Sequence, residues 1–106
     1  DAHLRELTGS APHYRLYALP GGPPFRPGMV RDELTGASIE LEVFDLPLAH
    51  LGSFLQSIPA PLGLGKIELE SGEWVTGFIC ESHGIIGAED ITEFGGWRAY
   101  IQSLNS

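Results

Sequence analysis

Proline and glycine interrupt this chain so often that every regular element in it must be short. The 106 residues contain 14 glycines and 8 prolines, and residues 20–24 read Pro-Gly-Gly-Pro-Pro. Proline lacks an amide donor and glycine favours unusual dihedral angles, so this stretch can be neither a helix nor a central strand. Pro59 and Pro61 make a further break. The chain length predicts a single domain.

Four segments have the pattern of β-strands. Residues 13–19 alternate in bulk, contain two tyrosines and end at the proline cluster. Residues 37–44 alternate aliphatic with polar or carboxylate side chains, which predicts a strand with one apolar face. Residues 67–69 and 74–80 flank Ser71-Gly72, which predicts a β-hairpin. Apolar residues on both faces of 74–80 predict that this arm is central or covered on both sides.

Two segments have helical spacing. Asp45 is a candidate N-cap for a first helix that Pro59 ends. The residues of this helix predicted to face the core are Leu48, Leu51, Leu55 and Ile58. The stripe of a closing amphipathic helix consists of Trp97, Tyr100, Ile101 and Leu104. Strands and helices in no strict alternation predict an α+β fold with a small, mostly antiparallel, curled sheet and flanking helices.

Residues 1–12 are polar and contain several helix and strand breakers, so they are interpreted as a leader or interdomain linker before a domain spanning 13–106. The chain has 14 acidic against 6 basic residues, a net charge of −8, which argues against nucleic acid and anionic membranes as partners. No apolar run approaches the roughly 18 residues of a membrane span. The lone Cys80 allows no internal disulfide, which favours a reducing, cytoplasmic location. Its apolar neighbours favour a buried inert thiol over a nucleophile.

The end of the first strand is a candidate anion site. A strand bearing Tyr14 and Tyr17 runs directly into the Pro-Gly cluster. The amides of Leu19, Gly21 and Gly22 would then make no hydrogen bonds to a neighbouring strand. They could converge on an anion, as successive turn amides do. A tight turn without a ligand is the equal alternative.

The titratable residues give weaker signals. Glu81 follows the hairpin's second arm, where a partly buried carboxyl with a raised pKa would act as an acid. A solvated loop glutamate is the alternative. The four histidines lie without the short paired spacings of a zinc site, so no metal is expected; they are His3, His13, His50 and His83.

Five ordered segments carry a resemblance to a known family. They are 11–21 (APHYRLYALPG), 27–31 (PGMVR), 58–65 (IPAPLGLG), 75–81 (VTGFICE) and 90–100 (DITEFGGWRAY). Together they resemble the allophanate hydrolase C-terminal domain, which is also found in urea amidolyase. The resemblance runs from Ala11 to Ile101. It implies a γ-glutamyl cyclotransferase-like fold, in which a small, closed or nearly closed, barrel-like sheet is flanked by helices.

The resemblance also implies a role in urea degradation. In that family an amidase domain of the same polypeptide hydrolyses allophanate with a serine nucleophile, and the C-terminal domain has been assigned the decarboxylation of N-carboxyurea to urea and carbon dioxide. The implied partners are therefore a small-molecule substrate, either allophanate or N-carboxyurea, and the amidase domain. No cofactor is implied, and a homo-oligomer is left open.

In the cyclotransferase relatives the turn after the first strand binds the substrate carboxylate. The candidate ligand-binding residues at the similar place here are Ala18, Leu19, Pro20, Gly21 and Gly22, with Lys66 as a further candidate. Decarboxylation of a carbamate also needs a proton near nitrogen and partial desolvation. The residues expected to handle that proton are His13, Tyr14, Tyr17 and Glu81.

Two other functions remain open. Uncatalysed carbamate decay is fast, so the domain is alternatively a non-catalytic assembly or oligomerisation module. A cyclotransferase-like enzyme or small-ligand sensor is least favoured. The relatives' acid/base glutamate lies in a segment similar to residues 57–63, which contain no carboxylate here.

Overall fold

The computed structural model describes residues 3–21 and 26–105, in which strands outnumber helices. The strands are β1 (His3–Gly9), β2 (Tyr14–Leu19), β3 (Arg26–Arg31), β4 (Glu40–Asp45), β5 (Leu62–Glu68), β6 (Trp74–Cys80) and β7 (Glu89–Asp90). The helices are α1 (Leu51–Gln56) and α2 (Trp97–Leu104). Short 3-10 turns lie at Leu48–His50, Ser82–Ile85 and Thr92–Phe94. No helix in these two ranges is long and apolar enough to cross a membrane.

The strands form three antiparallel sheets, ordered β1-β4, β3-β2-β7 and β5-β6. Two isolated bridges connect them: Ser10 pairs with Leu69, and Tyr14 pairs with Ala37. Strand β3 lies beside β6. The sheets therefore follow one another around a curled, barrel-like ring, and the predicted α+β class with a mostly antiparallel sheet is confirmed.

The core lies inside this ring. Strand β2 turns Tyr14, Leu16 and Ala18 inward because side chains alternate between the two faces of a strand. They meet buried aliphatic and aromatic residues from the other elements, namely Met29, Ile39, Ile67, Ile91 and Tyr100. The predicted strand at 13–19, the hairpin and the closing helix are all confirmed as β2, β5–β6 and α2.

Residues 1–12 were interpreted as a linker without regular secondary structure, and this is wrong because most of them form a strand. Residues His3–Gly9 form β1, which pairs with β4 from His3 opposite Asp45 to Gly9 opposite Glu40. A two-stranded ribbon is held together by backbone hydrogen bonds between its strands and needs little apolar surface. Hydrophobic periodicity therefore did not indicate β1. Where the domain begins stays a prediction.

The first helix is shorter and less buried than predicted. Asp45 ends β4 opposite His3 and caps nothing, and α1 begins only at Leu51. No described side chain of α1 is fully buried, and Leu55 is 43% exposed. The helical stripe therefore faces largely outward.

Strand β6 is also more exposed than predicted. Among the strands that the structure describes it pairs with β5 alone, and Trp74 and Phe78 on its outer face are 52% and 45% exposed. The apolar residues on this strand thus belong to a surface rather than to a covered layer.

Candidate functional site

Tyr14 and Tyr17 do not share a site, because side chains three positions apart on a β-strand point to opposite faces of the sheet. The Tyr14 side chain is 1% exposed, and its hydroxyl oxygen accepts hydrogen bonds from Arg31 Nη1 at 3.0 Å and from the Glu68 amide at 2.9 Å. These bonds join β2, β3 and β5. Tyr14 is therefore a structural residue of the core, and its expected role in proton transfer has no support in the geometry.

Replacing Tyr14 by phenylalanine should lower the free energy of unfolding by about 1–3 kcal/mol, because the partly buried Glu68 amide loses its acceptor. Urea unfolding followed by tryptophan emission measures this change. Tyr17→Phe is the matched control and should stay within about 0.5 kcal/mol of the parent, since Tyr17 lies on the outer face. Equal stability of the two variants would contradict the structural role.

The outer face of β2 is fixed by an ion pair. Arg15 Nε lies 2.7 Å from Asp90 Oδ2, and Asp90 Oδ1 accepts from the Thr92 amide at 3.0 Å and from the Thr92 hydroxyl at 2.6 Å. Burial alone would raise the pKa of Asp90, but the Arg15 guanidinium and the Thr92 donors hold it below its usual value. Asp90 thus caps the turn that follows it.

The turn after β2 differs from the predicted nest of amides. Leu19 pairs with Arg26, so the ladder reaches a residue that was expected to be free of it. Ala18 and Leu19 are buried, whereas Pro20 and Gly21 are exposed and Gly21 has a φ of 103°. Gly22 lies outside the described residues.

The end of β2 is packed against the end of β6. A Cβ atom at Gly28 of β3 would lie 2.8 Å from Leu19 Cδ2 and 3.2 Å from Cys80 Sγ, so the absence of a side chain there lets the two strand ends meet. We define Leu19, Arg26, Gly28 and Cys80 as the β2–β3 corner. Cys80 is 6% exposed, and burial raises the pKa of its thiol. A buried, protonated thiol is therefore confirmed.

Arg26 is the residue at this corner that the sequence analysis missed. Four of the five arginines form ion pairs, namely Arg5, Arg15, Arg31 and Arg98. Within the part of the chain that the structure describes, Arg26 has no carboxylate partner, and its Nη1 is buried without a hydrogen bond. The sequence could have indicated Arg26 by its position just after the predicted turn, which places it opposite Leu19 on the returning strand.

Charges of both signs lie near the Cys80 thiol. The Arg26 charge lowers the pKa of this thiol, whereas the Glu81 charge raises it. Glu81 is exposed, which agrees with the solvated loop glutamate rather than with the partly buried acid, and its Oε1 lies 3.6 Å from His83 Nε2. The surroundings of the Cys80 thiol therefore combine a guanidinium nitrogen that has no acceptor among the described residues with the exposed pair of Glu81 and His83. A guanidinium in this state suits a carboxylate, which accepts from two of its nitrogens at once.

His13 and Lys66 lie away from this arrangement. His13 is half-buried at the opposite end of β2, and its Nδ1 has no hydrogen-bond partner among residues 3–21 and 26–105. Lys66 Nζ donates to Thr76 Oγ1 at 2.9 Å. Lys66 is four residues along β5 from Leu62, the partner of Cys80, a distance of about 13 Å along the strand. Neither residue reaches the corner. The described residues contain no group of three potential ligands close enough to hold a metal ion.

A cavity of about 640 Å³ lies elsewhere, between the β1–β4 and β5–β6 sheets. We call it the apolar groove, and none of the predicted site residues lines it. Its exposed or half-exposed lining includes Val43, Phe44, Phe54, Trp74, Phe78 and Trp97.

Comparison with known proteins decides the family. The allophanate hydrolase C-terminal domain profile matches residues 1–102. The chain belongs to this family. The urea amidolyase of Lachancea kluyveri is 50% identical over 96 residues, which cover 87% of this chain and 5% of that protein. The chain spans only 5% and 6% of the length of the two curated relatives it matches.

Two solved structures contain the same fold. Kluyveromyces lactis allophanate hydrolase superposes with a TM-score of 0.93 at 44% identity, covering 97% of this chain and 18% of that one. A uropathogenic E. coli-specific protein gives a TM-score of 0.87 at 35% identity, covering 95% of this chain and 77% of that one.

Proposed function

We propose that this domain acts in urea degradation by binding the carboxylate of N-carboxyurea at the β2–β3 corner and promoting its decarboxylation. The observation that carries this proposal is Arg26, a guanidinium without a carboxylate partner among the described residues of a chain whose net charge is −8. A buried donor without an acceptor costs free energy that a bound anion would recover. Family membership supplies the context of urea-derived carbamates.

The reaction makes modest demands on the protein. The bond between the carbamate nitrogen and the carboxylate carbon breaks, its electron pair stays on nitrogen, and nitrogen takes one proton. The products are urea and carbon dioxide. Arg26 would hold and orient the carboxylate, while the buried surroundings of Leu19 and Cys80 disfavour the charged reactant relative to the neutral products.

The proton comes from the carboxylate–imidazole pair in this proposal. Glu81 directly follows Cys80, and its Oε1 lies 3.6 Å from His83 Nε2. The pair is exposed, so it regains protons from solvent after each turnover. Tyr17 lies at the same end of β2 and replaces Tyr14 as the tyrosine available to the site.

The same proposal places an amidase domain upstream of this one. The matched relatives are named urea amidolyase and allophanate hydrolase. An amidase step on allophanate releases N-carboxyurea, a short-lived substrate that benefits from a nearby second site. We place this reaction in the cytoplasm, which the single buried thiol of Cys80 favours.

The proposal is tested by generating N-carboxyurea with a separate amidase and adding the present chain at increasing concentration. Carbon-13 labelling of the carboxyl group lets NMR follow its conversion to carbon dioxide and bicarbonate. First-order decay should accelerate in proportion to the domain concentration. Decay at the uncatalysed rate, at domain concentrations that saturate carboxylate binding, would eliminate the catalytic role.

A second function, a non-catalytic assembly module, is favoured by the exposed apolar side chains on three elements. Phe44 of β4, Phe54 of α1, and Trp74 and Phe78 of β6 are between 36% and 52% exposed and lie around one groove. Clusters of this kind mark interaction surfaces. Deleting the domain from a full-length urea amidolyase separates the two functions, because assembly predicts altered oligomer size with unchanged turnover.

A further inference from the structure

The apolar groove opens into the core of the domain. Core residues Leu16, Met29, Ile39 and Ile67 contribute to its lining, and the β4 and β6 side chains form its walls. It therefore offers a continuous apolar surface from solvent to the centre of the fold. A volume of about 640 Å³ is sufficient for several apolar side chains of a partner.

Two contacts across the groove hold its walls together. Arg5 of β1 lies 3.3 Å from Glu73 in the connection between β5 and β6. The rings of Phe54 in α1 and Phe78 in β6 lie 5.6 Å apart. The groove is thus bounded by an ion pair and by an aromatic pair.

The rim of the groove is acidic. Glu40, Glu42 and Glu73 line it, and Arg98 and Arg5 pair with the last two. Glu40 has no cationic partner in the described ranges. A cationic group arriving with an apolar segment would pair with Glu40, in keeping with the charge complementarity of protein interfaces.

We infer that the apolar groove docks a peptide segment that presents apolar side chains together with lysine or arginine. A small molecule fits less well, since the polar side chains lie at the rim and leave no inward group to orient it. A second copy of the chain would bring like charge against like charge. This inference is independent of decarboxylation, because no residue of the β2–β3 corner lines the groove.

The chain contains its own reporter for this site. Its two tryptophans, Trp74 and Trp97, both line the groove, so intrinsic emission reports on groove occupancy. The probe is a short amphipathic peptide of leucine and lysine, compared with the same pattern of leucine and glutamate. The lysine peptide should shift the emission to shorter wavelength in a saturable manner, with at least about tenfold tighter binding than the glutamate peptide.

Two pairs of variants locate the binding. Phe78→Ser in the groove should weaken binding about tenfold, whereas Leu34→Ser, at a residue 95% exposed and outside the groove, should not. Glu40→Gln should weaken only the lysine peptide, and Glu93→Gln is its charge-matched control. Glu40→Gln removes no apolar contact, so it tests the inference even if Phe78→Ser fails to fold.

Several results would overturn the inference. They are equal binding of the two peptides, insensitivity to both groove variants, absence of binding, or an emission shift that depends on protein concentration without peptide, which would identify a second copy as the occupant. Acceleration of N-carboxyurea decay should be unchanged in Phe78→Ser, so failure of docking and failure of the proposed reaction are separate outcomes.

Discussion

Replacing Gly36 by alanine is expected to destabilise the folded domain by about 3 kcal/mol or to prevent folding altogether. A Cβ atom at this position would overlap with Asp32 O, with His13 C and with Tyr14 N. All three are backbone atoms, so no change of side-chain rotamer relieves the overlap.

The surrounding backbone is fixed by hydrogen bonds. The Asp32 amide donates to the His13 carbonyl at 2.6 Å, and the Ala37 amide donates to the Tyr14 carbonyl at 2.8 Å. The first bond continues the pairing of β2 with β3 beyond Tyr14 and Arg31. The second belongs to the bridge between Tyr14 and Ala37, which connects β2 to the segment leading into β4. Moving the backbone by enough to admit a methyl group would break them.

Chemical denaturation of Gly36→Ala and Gly52→Ala side by side measures this effect. Gly52 lies exposed in α1 with no atom within 4 Å of its added Cβ, so alanine there should stabilise the domain by up to about 1 kcal/mol. A Gly36→Ala protein with the parent's unfolding midpoint would show that the close approach is not required.

Local pattern predicted much of this fold. Period-two alternation located β2 and most of β4, the Ser71-Gly72 turn located the hairpin, and helical spacing located α2. These elements bury one face, and burial is what imposes periodicity on a sequence. Strand β1 buries little, so its sequence carried little signal and it was interpreted as a linker. Helical spacing did indicate α1, but it did not give the start of the helix or its outward orientation.

The candidate site was harder to predict because it depends on pairing across the chain. Tyr14 and Tyr17 look equivalent in the sequence, but the register of β2 places one in the core and the other outside. Arg26 looks like any surface cation, and only the positions of the other arginines beside carboxylates single it out. No local pattern specifies which cation is left without a partner.

Arg26→Gln is expected to reduce the acceleration of N-carboxyurea decay about 100-fold, because it removes the charged donor that would hold the carboxylate. Arg26→Lys should recover part of the activity, since it keeps the charge but loses the forked geometry. Arg98→Gln is the matched control. It removes an exposed arginine whose 3.7 Å contact with Glu42 lies apart from the corner, and it should leave the rate unchanged.

Stability separates a functional role of Arg26 from a structural one. A buried guanidinium nitrogen without a partner is a cost to the folded state, so Arg26→Gln should unfold at the same or a higher urea concentration than the parent. Loss of activity with retained or increased stability is the pattern of a residue held ready for a ligand. If the rate and the unfolding midpoint fell together, Arg26 would instead be a structural residue of the β2–β3 corner, and the carboxylate would have to bind elsewhere.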